Sequence, residues 1–223
     1  DRLNPAGQII QTTRNNDSYA WGGAVNVNRA YAANGLNQYT AAGAASFTHD
    51  ANGNLTSDGS NAYLYDIENR LVERSGAGTA TLRYDPLGRL YEVSGGGASP
   101  SLTRFLTDGD ALVAEYSATG TLLRRHVHGA DGKADDPLAS YEGSAFTAAN
   151  ERRLRSDWQG SIVLVTSSDG TTVHAINAYD EYGIPQATDA GRFQYTGQVW
   201  LPELGMYYYK ARVYSPTLGR FLQ

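Results

Sequence analysis

Hydrophobic and polar positions alternate along the chain in short stretches that turn residues separate. Asn-Gly and Asp-Gly pairs, which suit two-residue hairpin loops, occur at Asn34-Gly35, Asp58-Gly59, Asp108-Gly109, Asp131-Gly132 and Asp169-Gly170. Alternation or short β-branched runs, typical of strands, occupy residues 104–106, 111–116, 122–127, 162–167 and 172–178. The pattern predicts an all-β chain built from hairpins, and a helix is considered only for residues 145–155.

The same alternation continues through the tyrosine-rich residues 205–214 without a break. It predicts one strand with Tyr207 and Tyr209 on one face and Tyr208 and Tyr214 on the other. Pro216 and Gly219 are then expected to end this strand.

A short turn unit recurs at residues 4–9, 49–59, 65–73, 84–93 and 179–185. An aromatic residue ends a strand, Asp or Asn bonds its own turn backbone, and Gly or Asn three residues later accepts a positive φ. The turn residues predicted in this way are Asp50, Gly53, Asp66, Asn69, Asp85, Gly88, Asp180 and Gly183. One hairpin cannot bury its apolar face alone, so the hairpins are expected to stack into a continuous sheet.

The amino-acid composition supports the all-β prediction, and the net charge limits the classes of binding partner. The 223 residues include 25 Gly and 16 Tyr but one Met, a balance that favours strands joined by tight turns. A net charge of −5 argues against nucleic-acid partners and anionic membrane surfaces. No apolar run reaches the roughly 18 residues of a membrane-spanning helix. The absence of Cys excludes disulfides and thiolate sites but leaves the compartment open.

No catalytic, metal-binding or cofactor-binding site is predicted, and no cofactor is expected. The segment from Asp50 begins like a calcium loop, but Leu55 and Asn61 occupy the positions of the required Gly and Glu, so a plain turn is favoured. His126 and His128 share one strand face without a third ligand at a diagnostic spacing. The other two histidines, His49 and His174, belong to no general-base motif.

Four blocks in order, at residues 127–143, 155–173, 177–185 and 192–223, resemble the C-terminal part of RHS proteins. This YD-repeat family includes the C components of Tc toxins, and the sequences YDIENRL and YDPLGRL resemble its repeats. The resemblance implies YD-repeat hairpins over residues 1–102 and an RHS-associated core over residues 103–223, with no true linker between them. It also favours a strand over residues 152–157.

What the resemblance implies is a curved, spiralling sheet that forms part of a hollow shell around a C-terminal toxin. The expected partners are the protein's own toxin domain, further N-terminal repeats and delivery proteins, with secretion or cell-surface delivery. The residues expected to pack the shell end are Trp200, Tyr207, Tyr209, Tyr214, Arg220 and Phe221. The chain itself is expected to be a fragment, since it opens at Asp1 inside a repeat.

Many RHS proteins cleave themselves with aspartates that follow a GRFL segment. No position up to Gln223 matches those aspartates, and Ser215 replaces an Asp usual in similar segments, so the resemblance implies no enzyme activity in this chain. Two other functions stay open. One is a cell-surface module that binds carbohydrate or a neighbouring cell through exposed aromatic residues such as Tyr207 and Tyr208, and the other is autoproteolysis in a longer parent protein.

Overall fold

The structure is a computed structural model that describes residues 2–7, 9–11, 13, 15–25, 28–76, 78–95, 101–130 and 135–223. It confirms the all-β prediction. Within these residues there is no α-helix, and the only helical turns are short 3-10 turns at Asp17–Tyr19 and Tyr195–Gly197.

Five strands form two small N-terminal sheets. They are β1 (Arg2–Leu3) and β2 (Ile9–Gln11) in one sheet, and β3 (Tyr31–Ala33), β4 (Tyr39–Ala42) and β5 (Ala45–Ser46) in the other.

The main body is one antiparallel sheet of thirteen strands in which sequence neighbours are spatial neighbours throughout. The strands are β6 (Thr48–His49), β7 (Leu55–Ser57), β8 (Ala62–Tyr65), β9 (Leu71–Ser75), β10 (Ala80–Tyr84), β11 (Leu90–Gly95), β12 (Ser101–Asp108), β13 (Ala111–Ser117), β14 (Leu122–His128), β15 (Pro137–Glu142), β16 (Glu151–Ser156), β17 (Ile162–Thr166) and β18 (Val173–Ile176). The predicted stacking of hairpins into one sheet is confirmed for β6 to β18, whereas the repeat unit at residues 4–9 lies in the separate sheet of β1 and β2. The proposed division at residue 103 falls inside β12, so the sheet continues across it.

Residues 190–223, here named the closing segment, add a second sheet. Its strands are β19 (Val199–Leu201), β20 (Met206–Tyr208), β21 (Val213–Ser215) and β22 (Arg220–Phe221), paired in that order.

The prediction of one strand over residues 205–214 is wrong. Between β20 and β21 the chain reverses at Lys210, whose φ is +62°. The turn is closed by the Tyr209 N–H, which donates to the Arg212 carbonyl at 2.8 Å. Alternation did not reveal the turn because it contains no Gly, Pro or Asn, and because Lys210 and Arg212 fall on the polar positions of the pattern. The helix considered for residues 145–155 is also wrong, since β16 begins at Glu151.

The two-residue loops differ from the predicted pairs. In two hairpins, Asp58 and Asp108 are the last residues before the loop. Gly59 and Gly109 are the first loop residues, with φ of +87° and +56° respectively. This position requires Gly in a type II′ turn. Asn34 and Asp169 lie in longer loops, because Asn34 N–H donates to the carbonyl of Gln38 and Ser167 N–H donates to that of Thr172. Asp131-Gly132 lies outside the described residues.

The large sheet curves around the closing segment. Leu55 N–H on β7 donates to the Leu222 carbonyl at 2.7 Å, and Ile162 N–H on β17 donates to the Gln194 carbonyl at 3.0 Å. Strands lie about 4.8 Å apart, so a flat sheet would separate β7 from β17 by about 50 Å. The closing segment, whose paired strands are no longer than three residues, reaches both strands only if the large sheet wraps around it.

The core fills the space between this concave face and the closing segment. Leu71, Leu90 and Ile162 from the large sheet are at most 2% exposed, as are Leu201 and Leu222 from the closing segment. Burial of such side chains contributes about 1.5–3 kcal/mol each.

Candidate functional site

The predicted turn residues share one hydrogen-bonding pattern, seen most simply at Asp66. Its Oδ1 accepts the backbone N–H groups of Glu68 and Arg70, both at 2.9 Å, and its carbonyl accepts the N–H of Asn69. Asn69 has a φ of +61°. Asp50, Asp85 and Asp180 make the same bonds, and Gly53, Gly88 and Gly183 take the positive φ.

Three further copies of this turn were not predicted, at Asn34, Ser117 and Asp157. Asn37, Gly120 and Gly160 stand three residues later with positive φ. The spacing alone, an Asx or Ser residue followed three positions on by Gly or Asn, would have found them. The predicted unit also begins with an aromatic residue. That residue is absent before Asn34 and Asp157, and Tyr116 stands before Ser117, which is a less typical turn residue than Asp or Asn.

Neighbouring turns also contact each other along one edge of the sheet. The side-chain amides of Asn52 and Asn54 both donate to Asn69 Oδ1, at 2.8 and 2.9 Å. Hydrogen bonds from Asn54 and nearby N–H groups outweigh the opposing effect of burial and lower the pKa of Asp50. Its carboxylate is therefore occupied by the turn itself.

The aromatic residues predicted at the shell end lie in or beside the closing sheet. Tyr207 is fully buried, its hydroxyl donates to the Gly183 carbonyl at 2.9 Å, and its ring lies 4.7 Å from that of Trp200. Tyr209, Tyr214 and Phe221 pack edge to face, with ring centroids 5.3–5.8 Å apart. Arg220 lies over the Tyr39 ring at 3.8 Å and links this cluster to the N-terminal sheet.

The carbohydrate-binding alternative is not favoured by this arrangement. Tyr207 has no exposed surface, and the Tyr208 hydroxyl accepts the Leu90 N–H at 3.1 Å. Both rings therefore serve packing between the closing segment and the large sheet.

A buried ionic cluster, here named the Glu115 cluster, joins the closing segment to the middle of the large sheet. Glu115 on β13 is fully buried and accepts hydrogen bonds from Arg192 Nη2 at 2.7 Å and Nε at 3.0 Å. It also contacts His126 Nε2 at 2.9 Å, while His126 Nδ1 lies 2.8 Å from Ser140 Oγ. The sequence did not reveal Glu115 and Arg192 as partners because 77 residues separate them.

Burial alone would raise the pKa of Glu115, but the hydrogen bond from His126 and the charge of Arg192 outweigh it and hold that pKa well below its usual range. Burial lowers the pKa of His126 despite the nearby carboxylate. A neutral His126 therefore donates from Nε2 to Glu115, and its Nδ1 accepts the Ser140 hydroxyl proton. The cluster is a satisfied network that fixes where the closing segment lies on the sheet.

A cavity of about 260 Å³ opens beside the Glu115 cluster. Its polar lining includes Arg124, Ser140, Arg152, His174 and Arg192. Glu142 stands beside Arg124, which donates from Nε to both carboxylate oxygens at 3.0–3.1 Å. The cavity is thus predominantly cationic, on a protein whose net charge is negative.

Within the described ranges, no group of three or more His, Asp or Glu side chains is placed to hold a metal ion. His126 and His128 both pack edge-on against Phe193, at 4.9 and 5.4 Å. The part of the chain that the structure describes also contains no helix long and apolar enough to cross a membrane.

No family model matches the chain. Among curated proteins, it is 30% identical over 213 residues to the tRNA3(Ser)-specific nuclease WapA of Bacillus spizizenii and 31% identical over 213 residues to the tRNA nuclease WapA of Bacillus subtilis. Each match includes 90% of this chain but 8% of the relative. A third relative is the double-stranded DNA deaminase toxin A of Burkholderia cenocepacia, 27% identical over 212 residues, with 79% of this chain and 15% of that protein covered.

Among solved structures, the chain resembles the crystal structure of TcdB2-TccC3, with a TM-score of 0.60 and 16% identity. The match covers 87% of this chain and 12% of that one. At this identity the likeness shows a shared fold, the large curved antiparallel sheet described above.

Proposed function

We propose that the chain is a segment of the β-shell of an RHS-type polymorphic toxin and helps to enclose a C-terminal toxin domain. The observation that carries the proposal is the closing segment, which contacts both β7 and β17 on the concave face of one curved sheet. Such a segment closes off a concave surface, and it does so without any catalytic constellation of its own among the described residues.

The relatives support a role that is independent of any one chemistry. The WapA proteins are named for tRNA cleavage and the Burkholderia protein for deamination of DNA, yet all match this chain. The chain spans only 8–15% of these proteins. A region shared by toxins of different chemistry fits a common task, such as holding the toxic domain, better than the toxic reaction itself.

Under this proposal the partners are the protein's own toxin domain, the preceding repeats and the proteins that deliver the particle outside the cell. Residues 1–102 would supply repeat hairpins and residues 103–223 the core that ends the shell. The Asp turns at Asp50, Asp66, Asp85 and Asp180 would keep successive hairpins in register. The aromatic cluster around Tyr207 would seal the end.

Protease protection of the full-length natural protein tests enclosure. The toxin domain should survive digestion that degrades the same domain expressed alone, because the shell excludes the protease. Arg192→Glu should abolish this protection, since it places a carboxylate against buried Glu115. Arg153→Glu is the matched control, because Arg153 is solvent-exposed on β16.

Digestion of the toxin domain in the intact wild-type protein, at the rate of the isolated domain, would reject the proposal. Equal loss of protection in both variants would also count against a specific role for the closing segment.

A further inference from the structure

We propose that the cavity beside the Glu115 cluster binds a carboxylate of a polypeptide, carried by an acidic residue next to an apolar one. Identification of the enclosed toxin domain as the source of that polypeptide rests on the proposed function. The binding chemistry itself rests on the cavity.

The charges around the cavity are unequal. Arg124, Arg152 and Arg192 face two carboxylates, Glu115 and Glu142. Arg192 is fully engaged, because its third nitrogen, Nη1, donates to the Trp200 carbonyl at 2.9 Å. Arg124 divides its contacts between the two glutamates. One positive charge is left over, and it belongs to Arg152.

Arg152 is held in place without being neutralised. Its Nη1 donates to the carbonyls of Ala149 and Glu151, at 3.0 and 2.9 Å, and it forms no ion pair with a carboxylate among the described residues. It stands opposite Ser140 in the sheet register, on the face that lines the cavity. Nε and Nη2 remain as donors, and a guanidinium edge of this kind matches the two oxygens of a carboxylate.

The rest of the cavity selects among anions. The apolar part of the lining comes from Leu154, Val165 and Ala175, and the closing segment contributes Ala190 and Gly191. A volume of about 260 Å³ accommodates one or two side chains rather than a large cofactor. Glu142 on the rim repels a dianion such as phosphate more strongly than a single carboxylate. A peptide with Asp or Glu beside an apolar residue fits these features.

Nuclear magnetic resonance on the 223-residue chain tests the site through the Nε–H signals of its arginines. N-acetyl-Asp-Leu-amide is titrated against the neutral isostere N-acetyl-Asn-Leu-amide. The Asp peptide should shift the signals of Arg152 and Arg124 saturably, and the Asn peptide should bind at least about tenfold more weakly, a factor that corresponds to about 1.4 kcal/mol.

Two variants of adjacent residues separate specific binding from general charge. Arg152→Gln should weaken binding of the Asp peptide by about tenfold or more. Arg153→Gln removes the same charge from the opposite face of β16, where Arg153 Nε donates to Glu151 at 3.0 Å, and should leave binding unchanged.

Equal binding of the two peptides would overturn the proposal, as would equal loss in the two variants. Acetate or inorganic phosphate that binds as tightly as the Asp peptide would show a general anion site and reject the peptide assignment. Protection of the toxin domain is a separate measurement. If the peptide binds but the toxin domain is not protected from protease, the proposed shell is rejected. If the toxin domain is protected but the peptide does not bind, the proposed carboxylate site is rejected.

Discussion

At the residue scale, the glycines and asparagines of the turns are where local backbone requirements are clearest. Gly35, Gly120 and Gly183 offer a graded comparison. Gly35 has an ordinary φ and open space where a Cβ would stand, and Gly120 has a φ of +81° with the same open space. Gly183 has a φ of +88°, and the Tyr195 ring occupies the place of its Cβ. The three positions therefore separate the effect of a left-handed backbone from the effect of steric crowding of the Cβ atom.

Alanine at these three positions should destabilise the protein in that order. Gly35→Ala should change the free energy of unfolding by less than about 0.5 kcal/mol. Gly120→Ala should lower it by about 1–2 kcal/mol through the left-handed backbone alone, and Gly183→Ala should lower it further because its Cβ overlaps the ring. Urea denaturation measures all three. Equal effects at Gly35 and Gly120 would contradict the conformational explanation.

Buried His126 makes a second residue-scale prediction, about pH. Because burial lowers its folded pKa, the unfolded chain takes up a proton below about pH 6.5 where the folded chain does not. Stability is therefore lost as the pH falls from about 6.5. Glu115 acts in the same direction, but only below its unfolded pKa of about 4.3.

The His126→Gln variant isolates this contribution. Asp189 changes stability in the opposite direction, because burial raises its pKa to about 6. The dependence of wild-type stability on pH therefore mixes the effects of both residues. Wild type should be more stable than the variant at about pH 7, and this difference in the free energy of unfolding should shrink as the pH falls to about 5. A difference that is independent of pH would show that His126 does not titrate with folding.

At the element scale, a strand or turn could be predicted from the sequence when the interactions that determine it lie within a few residues of it. The hairpins at Asp50, Asp66 and Asp85 were predictable because Asp, Asn and Gly determine each of these turns from within a few residues. The break between β20 and β21 was not, because Lys210 takes its positive φ under tertiary constraint, with Nζ bonded to Gln198 and paired with Asp135. The Glu115 cluster was missed for the same reason, since Arg192 is brought to Glu115 only by the whole fold.

Tyr207 tests how the closing sheet is held. Tyr207→Phe removes the hydroxyl that donates to the Gly183 carbonyl and should lower the free energy of unfolding by about 1–2 kcal/mol. Tyr207→Ala also leaves a cavity and should lower it by about 3–5 kcal/mol. Thermal or urea unfolding monitors both variants. A negligible effect of Tyr207→Ala would contradict the view that this ring anchors the closing segment.

At the scale of the whole molecule, the large sheet and the closing segment form one body with a shared core. The order of the strands followed from the repeat, because each hairpin pairs with the next one in sequence. Curvature did not follow from any local pattern. The family resemblance implied the curvature, and the hydrogen bonds that join Leu222 to β7 and Gln194 to β17 show it in the structure.

Electron cryomicroscopy of the full-length natural protein tests the central claim most directly. The shell account predicts a closed, hollow β-structure with residues 190–223 at one end and additional density for the toxin domain inside. A compact sandwich with a filled core throughout, and the toxin domain outside it, would contradict the account.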